Sequence, residues 1–166
     1  MLHLSKSRYC TAVQCPKAGW LTKHKPEVFD SSVLNTAVMA AGNEVGDLAM
    51  GLLGEYIEVP YGELSEMIAT TQSLIDAGTT VIAEASFSYK GLFCSVDILK
   101  VLGEKRVEIV EVKSATTIND YYYDDVAFQY YVLTNLGYKV ERVRIALIDS
   151  TYVRHGPLEL DKLFKY

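Results

Sequence analysis

Residues 92 to 113 read LFCSVDILKVLGEKRVEIVEVK and contain two strand-like apolar runs, Leu92 to Leu102 and Val107 to Lys113. The residues between them, Gly103-Glu104-Lys105-Arg106, form a separator that is short enough for a hairpin. A third strand-like run, Thr79 to Tyr89, precedes them after another short separator. Because strands joined by short turns pair antiparallel, we predict a three-stranded meander in this part of the chain.

Ionisable side chains interrupt both strands of this hairpin. Glu111 and Lys113 are two positions apart, so they project from the same face of a strand. An acid and a lysine in this arrangement can bind a metal ion and position the water that it activates. Asp97 lies in an otherwise apolar run, where a carboxylate is costly unless it is paired or bound to metal. These three residues are therefore the candidate catalytic centre.

The length of the hairpin loop decides whether Asp97 shares a face with Glu111. A three-residue loop, Gly103-Glu104-Lys105, brings Asp97 directly opposite Glu111. A two-residue loop sets Asp97 opposite Val110, on the other face, unless a bulge intervenes. The sequence is compatible with either pairing, and the candidate site requires the first pairing or a bulge.

Helical patterns lie on both sides of the meander. Three helices are predicted from apolar residues at helical spacing: Ser32 to Leu53, Glu63 to Ala77, and Ile118 to Leu136. We also predict short strands at Tyr56 to Pro60 and Arg142 to Asp149, an N-terminal helical region that begins with the hydroxyl of Ser5, and a helix cut short at Leu158 to Tyr166. A helix that joins two strands of one sheet is the crossover of a parallel pair, so the last long strand should run parallel to the strand that ends at Lys113.

Composition limits the class of protein. The 166 residues suit one domain, and 49% apolar with 22% charged residues is typical of a globular protein. No apolar run approaches the roughly 20 residues that cross a bilayer, and Met1 to Arg8 lacks a signal-peptide core, so we expect a cytoplasmic protein with no membrane partner. The odd set of Cys10, Cys15 and Cys94 predicts reduced thiols.

The net charge of −5 argues against nucleic-acid binding, because phosphate-binding domains usually carry a basic excess or a basic face. One region of the chain opposes this trend. The segment from Lys6 to Lys25 is clearly basic, and it is the sequence's best candidate for contact with phosphate.

The order helix, three strands, helix, strand, with Asp97, thirteen residues, Glu111-Val112-Lys113 and then a helix carrying Gln129, resembles the RecB-like branch of the PD-(D/E)XK nuclease superfamily. The opening of the chain is also similar to that of RecB-like exonucleases related to those associated with CRISPR systems, through Leu4-Ser5-Lys6-Ser7-Arg8, Cys15-Pro16-Lys17 and Trp20-Leu21. The resemblance implies an α/β fold, or α+β with a mixed sheet, with a restriction-endonuclease-like core and extra N-terminal helices.

The resemblance also implies roles for individual residues. Asp97 and Glu111 would bind Mg²⁺ or Mn²⁺, and the backbone carbonyl of Val112 could add a third protein oxygen. Lys113 would orient the attacking water or help to deprotonate it, and it would neutralise charge on the phosphate. Gln129 would orient Lys113 or the bound nucleic acid.

The chain departs from this family in two respects. Many RecB-like members carry a metal-binding histidine on the first core helix, and Gly42-Asn43-Glu44-Val45-Gly46 has glycine at that position. Glu44 and Glu84 are the candidates to replace that ligand. Relatives with an iron–sulfur cluster use several cysteines near the C-terminus, whereas nothing after Cys94 is cysteine, so we expect no cluster in this chain.

The sequence therefore predicts a single nuclease-like domain over residues 1–166 that cleaves DNA, in repair, recombination or defence against foreign DNA. The predicted nucleic-acid contacts are Lys6, Arg8, Lys17 and Tyr131. The alternative is a catalytically inactive nuclease-fold module that binds nucleic acid or another protein. A third interpretation is a fragment of a longer protein, whose partner domain or partner protein is a helicase or a second nuclease.

Overall fold

The computed structural model describes residues 3–30 and 36–166. Within these residues one mixed sheet contains seven strands, which are β1 Leu4–Ser5, β2 Ile57–Glu58, β3 Val81–Tyr89, β4 Leu92–Gly103, β5 Arg106–Lys113, β6 Lys139–Ile148 and β7 Phe164–Lys165. Their order across the sheet is β2-β3-β4-β5-β6-β7, and β1 pairs with β4 off this path. The chain is thus a mixed α/β protein with an open sheet.

Six α-helices accompany the sheet in the described part of the chain: α1 Lys6–Gln14, α2 Pro16–His24, α3 Thr36–Met50, α4 Leu64–Asp76, α5 Tyr121–Asn135 and α6 Leu160–Leu163. Short 3₁₀ turns follow α2 at Pro26–Val28 and α3 at Gly51–Leu53. Residues 32–35 of the helix predicted from Ser32 lie outside the described residues. No described helix has the length and apolar character needed to cross a membrane.

The two faces of the sheet are covered by different helices. On one face Tyr9 of α1, Met67 of α4 and Phe128 of α5 pack against the strands in the larger core cluster. On the other face Ala49 of α3 and Leu160 of α6 pack in a smaller cluster. Burying apolar side chains on both faces stabilises the sheet, because the apolar surface of each face is then removed from contact with water. The middle strands β4 and β5 are held between these layers.

The predicted strand pairings are confirmed. The three strands β3, β4 and β5 form the antiparallel meander, and α5 crosses over to place β6 parallel to β5. Strand β6 begins at Lys139 rather than Arg142. The parallel pair follows from the helix between its strands, as the short turns of the meander require antiparallel neighbours.

The hairpin between β4 and β5 combines a two-residue loop with a bulge. Glu104 and Lys105 both have positive φ, 51° and 58°, which is the geometry of a type I′ turn. Gly103 pairs with Arg106, and the register then shifts between Val101 and Gly103. The bulge at Leu102 restores the register that a three-residue loop would have given, in which Asp97 lies opposite Glu111.

The prediction of a helix from Leu158 to Tyr166 is wrong over most of its length. Only Leu160–Leu163 are helical, and Phe164–Lys165 form β7 antiparallel to β6. The aromatic ring of Phe164 is buried in the smaller core cluster. The hydrogen bonds of β6 and burial of this ring outweigh the local helical pattern, which is too short to be stable by itself.

Candidate active site

The candidate site lies where β4 and β5 diverge. The β4–β5 ladder has Ile98 paired with Val110 as its last pair, and beyond it β4 pairs with β3 while β5 pairs with β6. Asp97 immediately precedes Ile98, and it accepts a hydrogen bond from the Val112 N–H to its Oδ2 at 2.7 Å. The carboxylate of Asp97 thus ties the two strands together at the point where they separate.

Near this point, strands β3 and β4 each interrupt the regular alternation of side chains between the two faces of the sheet. Ile82 and Ala85 of β3 belong to the larger core cluster, although regular alternation would put them on opposite faces. Between them Glu84 has a φ of 54°, a left-handed conformation that costs a side-chain-bearing residue about 1–2 kcal/mol. In β4, Val96 and Ile98 lie in different clusters although they are two positions apart. The strained residue therefore lies directly beside the candidate site.

Glu111 is the most heavily bonded acid of the site. Its side chain is almost fully buried and accepts hydrogen bonds from Lys6 Nζ at 3.1 Å to Oε1 and 3.0 Å to Oε2. Lys113 Nζ donates to Oε1 at 2.6 Å, and Gln129 Nε2 donates to Oε2 at 2.6 Å. Two cations and one amide therefore stabilise this carboxylate in a place where burial alone would disfavour it.

Asp125 completes the cluster, and the sequence analysis did not identify it. It lies one helical turn before Gln129 on α5, so both side chains point to the same face. Lys113 Nζ lies 2.5 Å from its Oδ2, and Gln129 Nε2 lies 3.1 Å from its Oδ1. The i, i+4 spacing of Asp125 and Gln129 was the signal in the sequence that could have found it.

Lys113 is fixed between acids and an aromatic ring. Its ammonium contacts Glu111 and Asp125 and lies 5.4 Å from the centre of the Tyr122 ring. Burial lowers the pKa of Lys113, but the charges of Glu111 and Asp125 outweigh this effect and hold the pKa above its ordinary value. In this state Lys113 is a fixed cationic hydrogen-bond donor.

Lys6 was predicted to contact nucleic acid, but its ammonium lies within the acid cluster. Nζ is 3.0 Å from Glu111, 3.2 Å from Asp125 and 3.9 Å from Asp97. Burial lowers the pKa of Lys6, and the three carboxylates raise it further than burial lowers it. A phosphate contact by Lys6 would therefore require its side chain to leave these acids.

A cavity of about 240 Å³ opens between α3 and the sheet beside the cluster. Asp47, Glu84 and Asp97 line it, together with Gly42 and Gly46. Apart from the neighbouring residues and backbone of α3 itself, no described heavy atom lies within 4 Å of where a Cβ at either glycine would be. The helix therefore presents a side with little bulk to this cavity, including Gly46, where the resemblance to RecB-like nucleases would place a histidine.

The two predicted replacements for that histidine differ in position. Glu84 lines the cavity, whereas Glu44 is exposed and is not among the lining residues. The acid of α3 that lines the cavity is Asp47, which directly follows Gly46 and lies about one helical turn after Asn43, another lining residue. Asp47 was missed because the helical face that meets the sheet is decided by packing of Val45 and Ala49.

The surroundings shift the pKa values of the acids in different directions. Burial, reinforced by the charge of Asp97, raises the pKa of Glu111 to about 7 against the pull of the two lysines. Burial also raises the pKa of Asp97 and of Glu84. For Asp125, burial would raise the pKa, but Lys6 and Lys113 outweigh it and lower the pKa to about 2. Shifted pKa values of several neighbouring acids are typical of functional sites.

The residues have the donor chemistry of a hard-cation site but not its arrangement. Carboxylate and backbone carbonyl oxygens are the ligands that Mg²⁺ and Mn²⁺ prefer. In the described part of the chain, however, no group of three or more His, Cys, Asp or Glu side chains is disposed to hold a metal ion. Here the oxygens of Glu111 and Asp125 face Lys6 and Lys113 instead. The Lys6 ammonium is therefore the cation that lies against these carboxylates in this structure.

The other predicted nucleic-acid contacts lie on the surface. Arg8 of α1 and Lys17 of α2 are exposed, as is Tyr131 of α5. The ring of Tyr131 packs edge-on against Tyr89 at 6.5 Å. The N-terminal segment is close to this ring pair, because the Leu4 N–H donates to the carbonyl of Gly91 in the turn after β3. The N-terminal strand β1 and the Tyr89–Tyr131 ring pair thus border the end of the sheet at which β4 begins.

Comparison of the chain with protein-family models, with curated proteins and with solved structures finds no match.

Proposed function

We propose that the chain is a Mg²⁺- or Mn²⁺-dependent deoxyribonuclease of the PD-(D/E)XK type, with a restriction-endonuclease-like core. The observation that carries this proposal is the concentration of acids beside the fixed ammonium of Lys113. The five acids are Asp47, Glu84, Asp97, Glu111 and Asp125. Glu111 and Asp125 are buried, and Glu84 and Asp97 are partly buried. Placing these four acids together away from water is costly and is a poor way to stabilise a fold, which favours a functional reason for their presence.

The charge of the site supports a role for a divalent cation. Five carboxylates and the two ammonium groups of Lys6 and Lys113 give a formal charge of −3. A phosphodiester is itself an anion, so it would be repelled from a site with this charge. A divalent ion would reduce this repulsion and lower the pKa of water close to the phosphate.

The side chains have separate tasks in this proposal. Asp97 and Glu111 would hold the ion, with the carbonyl of Val112 as a further oxygen. Lys113 would donate a hydrogen bond to a phosphate oxygen or to the attacking water, because its raised pKa keeps it protonated and disfavours a role as a base. Gln129 holds Glu111 in place, since its amide nitrogen donates to both Glu111 and Asp125.

A binding module without catalysis is the second candidate function. The observations that favour it are glycine at position 46 and the ammonium of Lys6 on the acid cluster, since both leave fewer groups for an ion. Exposed Arg8, Lys17 and Tyr131 could still contact a strand of nucleic acid in such a protein.

The test of the proposed function is cleavage of end-labelled and internally labelled DNA, single-stranded and duplex, in Mg²⁺, Mn²⁺ or chelator. We expect metal-dependent cleavage by the wild type and a loss of about 100-fold or more in Glu111→Gln and Lys113→Met. Glu108→Gln is the matched control, because Glu108 is a buried acid of the same strand that pairs with Arg144. Equal cleavage by Glu111→Gln and wild type would refute the assignment, and DNA binding without cleavage would favour the binding module.

A further inference from the structure

The position of Lys6 is not explained by its helix. Lys6 is the first residue of α1, and Ser5 caps that helix by accepting a hydrogen bond from the Arg8 N–H. A cation at the N-terminus of a helix opposes the helix dipole and is unfavourable there. The compensation comes from outside the helix, since the Lys6 ammonium contacts the carboxylates of Glu111 and Asp125.

The backbone around Lys6 is held by contacts that do not involve its ammonium. Leu4 and Ser5 form β1, which pairs with β4, and the ring of Tyr9 lies 5.0 Å from that of Phe128. Lysine carries its charge at the end of a flexible four-carbon stem. The ammonium can therefore leave the acids by rotation of the side chain while α1 keeps its place.

The Lys6 ammonium competes directly for the oxygens that an ion would need. It donates to both oxygens of Glu111, at 3.1 and 3.0 Å. Asp97, Glu111 and Asp125 with the two lysines carry a formal charge of −1. A divalent ion in place of the Lys6 ammonium makes the group neutral, whereas an ion added beside that ammonium leaves an excess positive charge.

We propose that Lys6 is a built-in counter-cation of the metal-free protein, and that a divalent ion binds Glu111 only when the Lys6 ammonium withdraws. The inference rests on the proposed function, which puts the ion on Asp97 and Glu111. In the metal-free state Lys6 neutralises acids that would otherwise repel each other within the fold. It thereby stabilises that state and weakens metal binding, so metal affinity and apo stability change in opposite directions when Lys6 is altered.

The experiment uses Mn²⁺ alone, without DNA, and compares wild type with Lys6→Gln by calorimetric titration and thermal unfolding. Lys23→Gln is the control, because Lys23 is exposed on α2 and its loss changes the net charge equally. We expect Lys6→Gln to bind Mn²⁺ roughly tenfold more tightly or better, since removing an adjacent positive charge favours a cation. We also expect it to unfold at a lower temperature without Mn²⁺ and to recover when Mn²⁺ is added. Lys23→Gln should match the wild type.

A second measurement needs no variant and so does not depend on the folding of Lys6→Gln. The rate of reductive methylation of each lysine in the wild type is followed by mass spectrometry, with and without saturating Mn²⁺. Lys6 should react slowly in the metal-free protein and several-fold faster with Mn²⁺, while Lys23 should react at the same rate in both.

The outcomes separate the inference from the proposed function. Mn²⁺ binding by the wild type with no gain in Lys6→Gln, or an unchanged methylation rate at Lys6, overturns the counter-cation and leaves the nuclease proposal standing. Tighter binding by Lys6→Gln without DNA cleavage by any variant supports the counter-cation and refutes the nuclease. Absence of Mn²⁺ binding from both proteins overturns both.

Discussion

Asp97 can be changed in two ways that separate its structural contact from its proposed chemistry. Its Oδ2 accepts the Val112 N–H at 2.7 Å where β4 and β5 diverge. Asn at this position keeps an oxygen that can accept the same hydrogen bond but carries no charge. Ala removes the acceptor and leaves a partly buried N–H without a partner, which costs about 1–3 kcal/mol.

These energies convert into a measurable difference in thermal stability. For a chain of this length, 1 kcal/mol corresponds to about 2–4 °C in Tm, so Asp97→Ala should unfold about 2–12 °C below the wild type. Asp97→Asn also loses the 3.9 Å ion pair with Lys6, but it no longer buries a carboxylate. Since these two effects oppose each other, we expect its stability to change by less than about 1 kcal/mol.

Metal binding and cleavage should fail in both variants. The loss of Mn²⁺ affinity should be about 100-fold or more. Replacing a residue that only hydrogen-bonds to a metal ligand already costs about 10–100-fold, and Asp97 is proposed to be a ligand itself. The assays are thermal unfolding in chelator, Mn²⁺ titration, and DNA cleavage with Mg²⁺ or Mn²⁺. Asp161→Asn, at an exposed position on α6, controls for the change of charge. If Asp97→Asn cleaves DNA at the wild-type rate, Asp97 is not a ligand, and if Asp97→Ala is as stable as the wild type, the bond to Val112 is not structural.

Four further predictions concern Glu111, Gly46 and the bulge at Leu102. Because the pKa of Glu111 is about 7 and an ion requires its charged form, Mn²⁺ affinity should fall about tenfold per pH unit below 7 and level off above, as measured by titration at several pH values; an affinity that does not vary with pH would contradict this. The raised pKa also means that, between pH 4.5 (the ordinary value) and 7, Glu111 binds more protons in the metal-free fold than in the unfolded chain. The contribution of Glu111 to the free energy of unfolding should therefore fall as pH rises through that range. In urea titrations, Glu111→Gln should flatten this dependence of the free energy of unfolding on pH. Gly46→His should tighten Mn²⁺ binding and slightly stabilise α3, because the cavity has room for the ring and glycine is a poor helix former; unchanged affinity would show that the position does not reach the ion. Deleting Leu102, the bulged residue, should leave Asp97 opposite Glu111 and preserve cleavage. Without Leu102 the pairs Val101–Val107 and Gly103–Arg106 follow one another in a single register. Loss of activity in a folded deletion variant would refute that interpretation of the hairpin.

Much of the fold could be predicted because its signals are local. The meander follows from apolar runs separated by short turns, and the parallel β5–β6 pair follows from the helix between them. The C-terminal segment could not be predicted in this way. Phe164 joins β7 because β6 offers an edge and the core offers a place for its ring, and both partners are distant in sequence.

The candidate site was predictable only in part. Asp97, Glu111 and Lys113 stand out because charged residues interrupt apolar strands, and Gln129 follows from the resemblance. Asp47 and Asp125 look like ordinary helix-surface acids until packing decides which face of each helix meets the sheet. For Asp125 the i, i+4 spacing to Gln129 was a usable signal, whereas for Asp47 the face of α3 is decided by packing alone.

The sequence by itself determined the alternation of strands and helices, the antiparallel hairpin, and the spacing that puts Glu111 and Lys113 on one strand face, since these depend on periodicity and turn length. Only the tertiary structure decided that a bulge corrects the hairpin register, that the left-handed Glu84 lies where two strands change faces, and that the ammonium of Lys6 lies against Glu111, 105 positions along the chain. Such contacts arise from packing between distant elements, where the burial of charges makes every pairing depend on its neighbours.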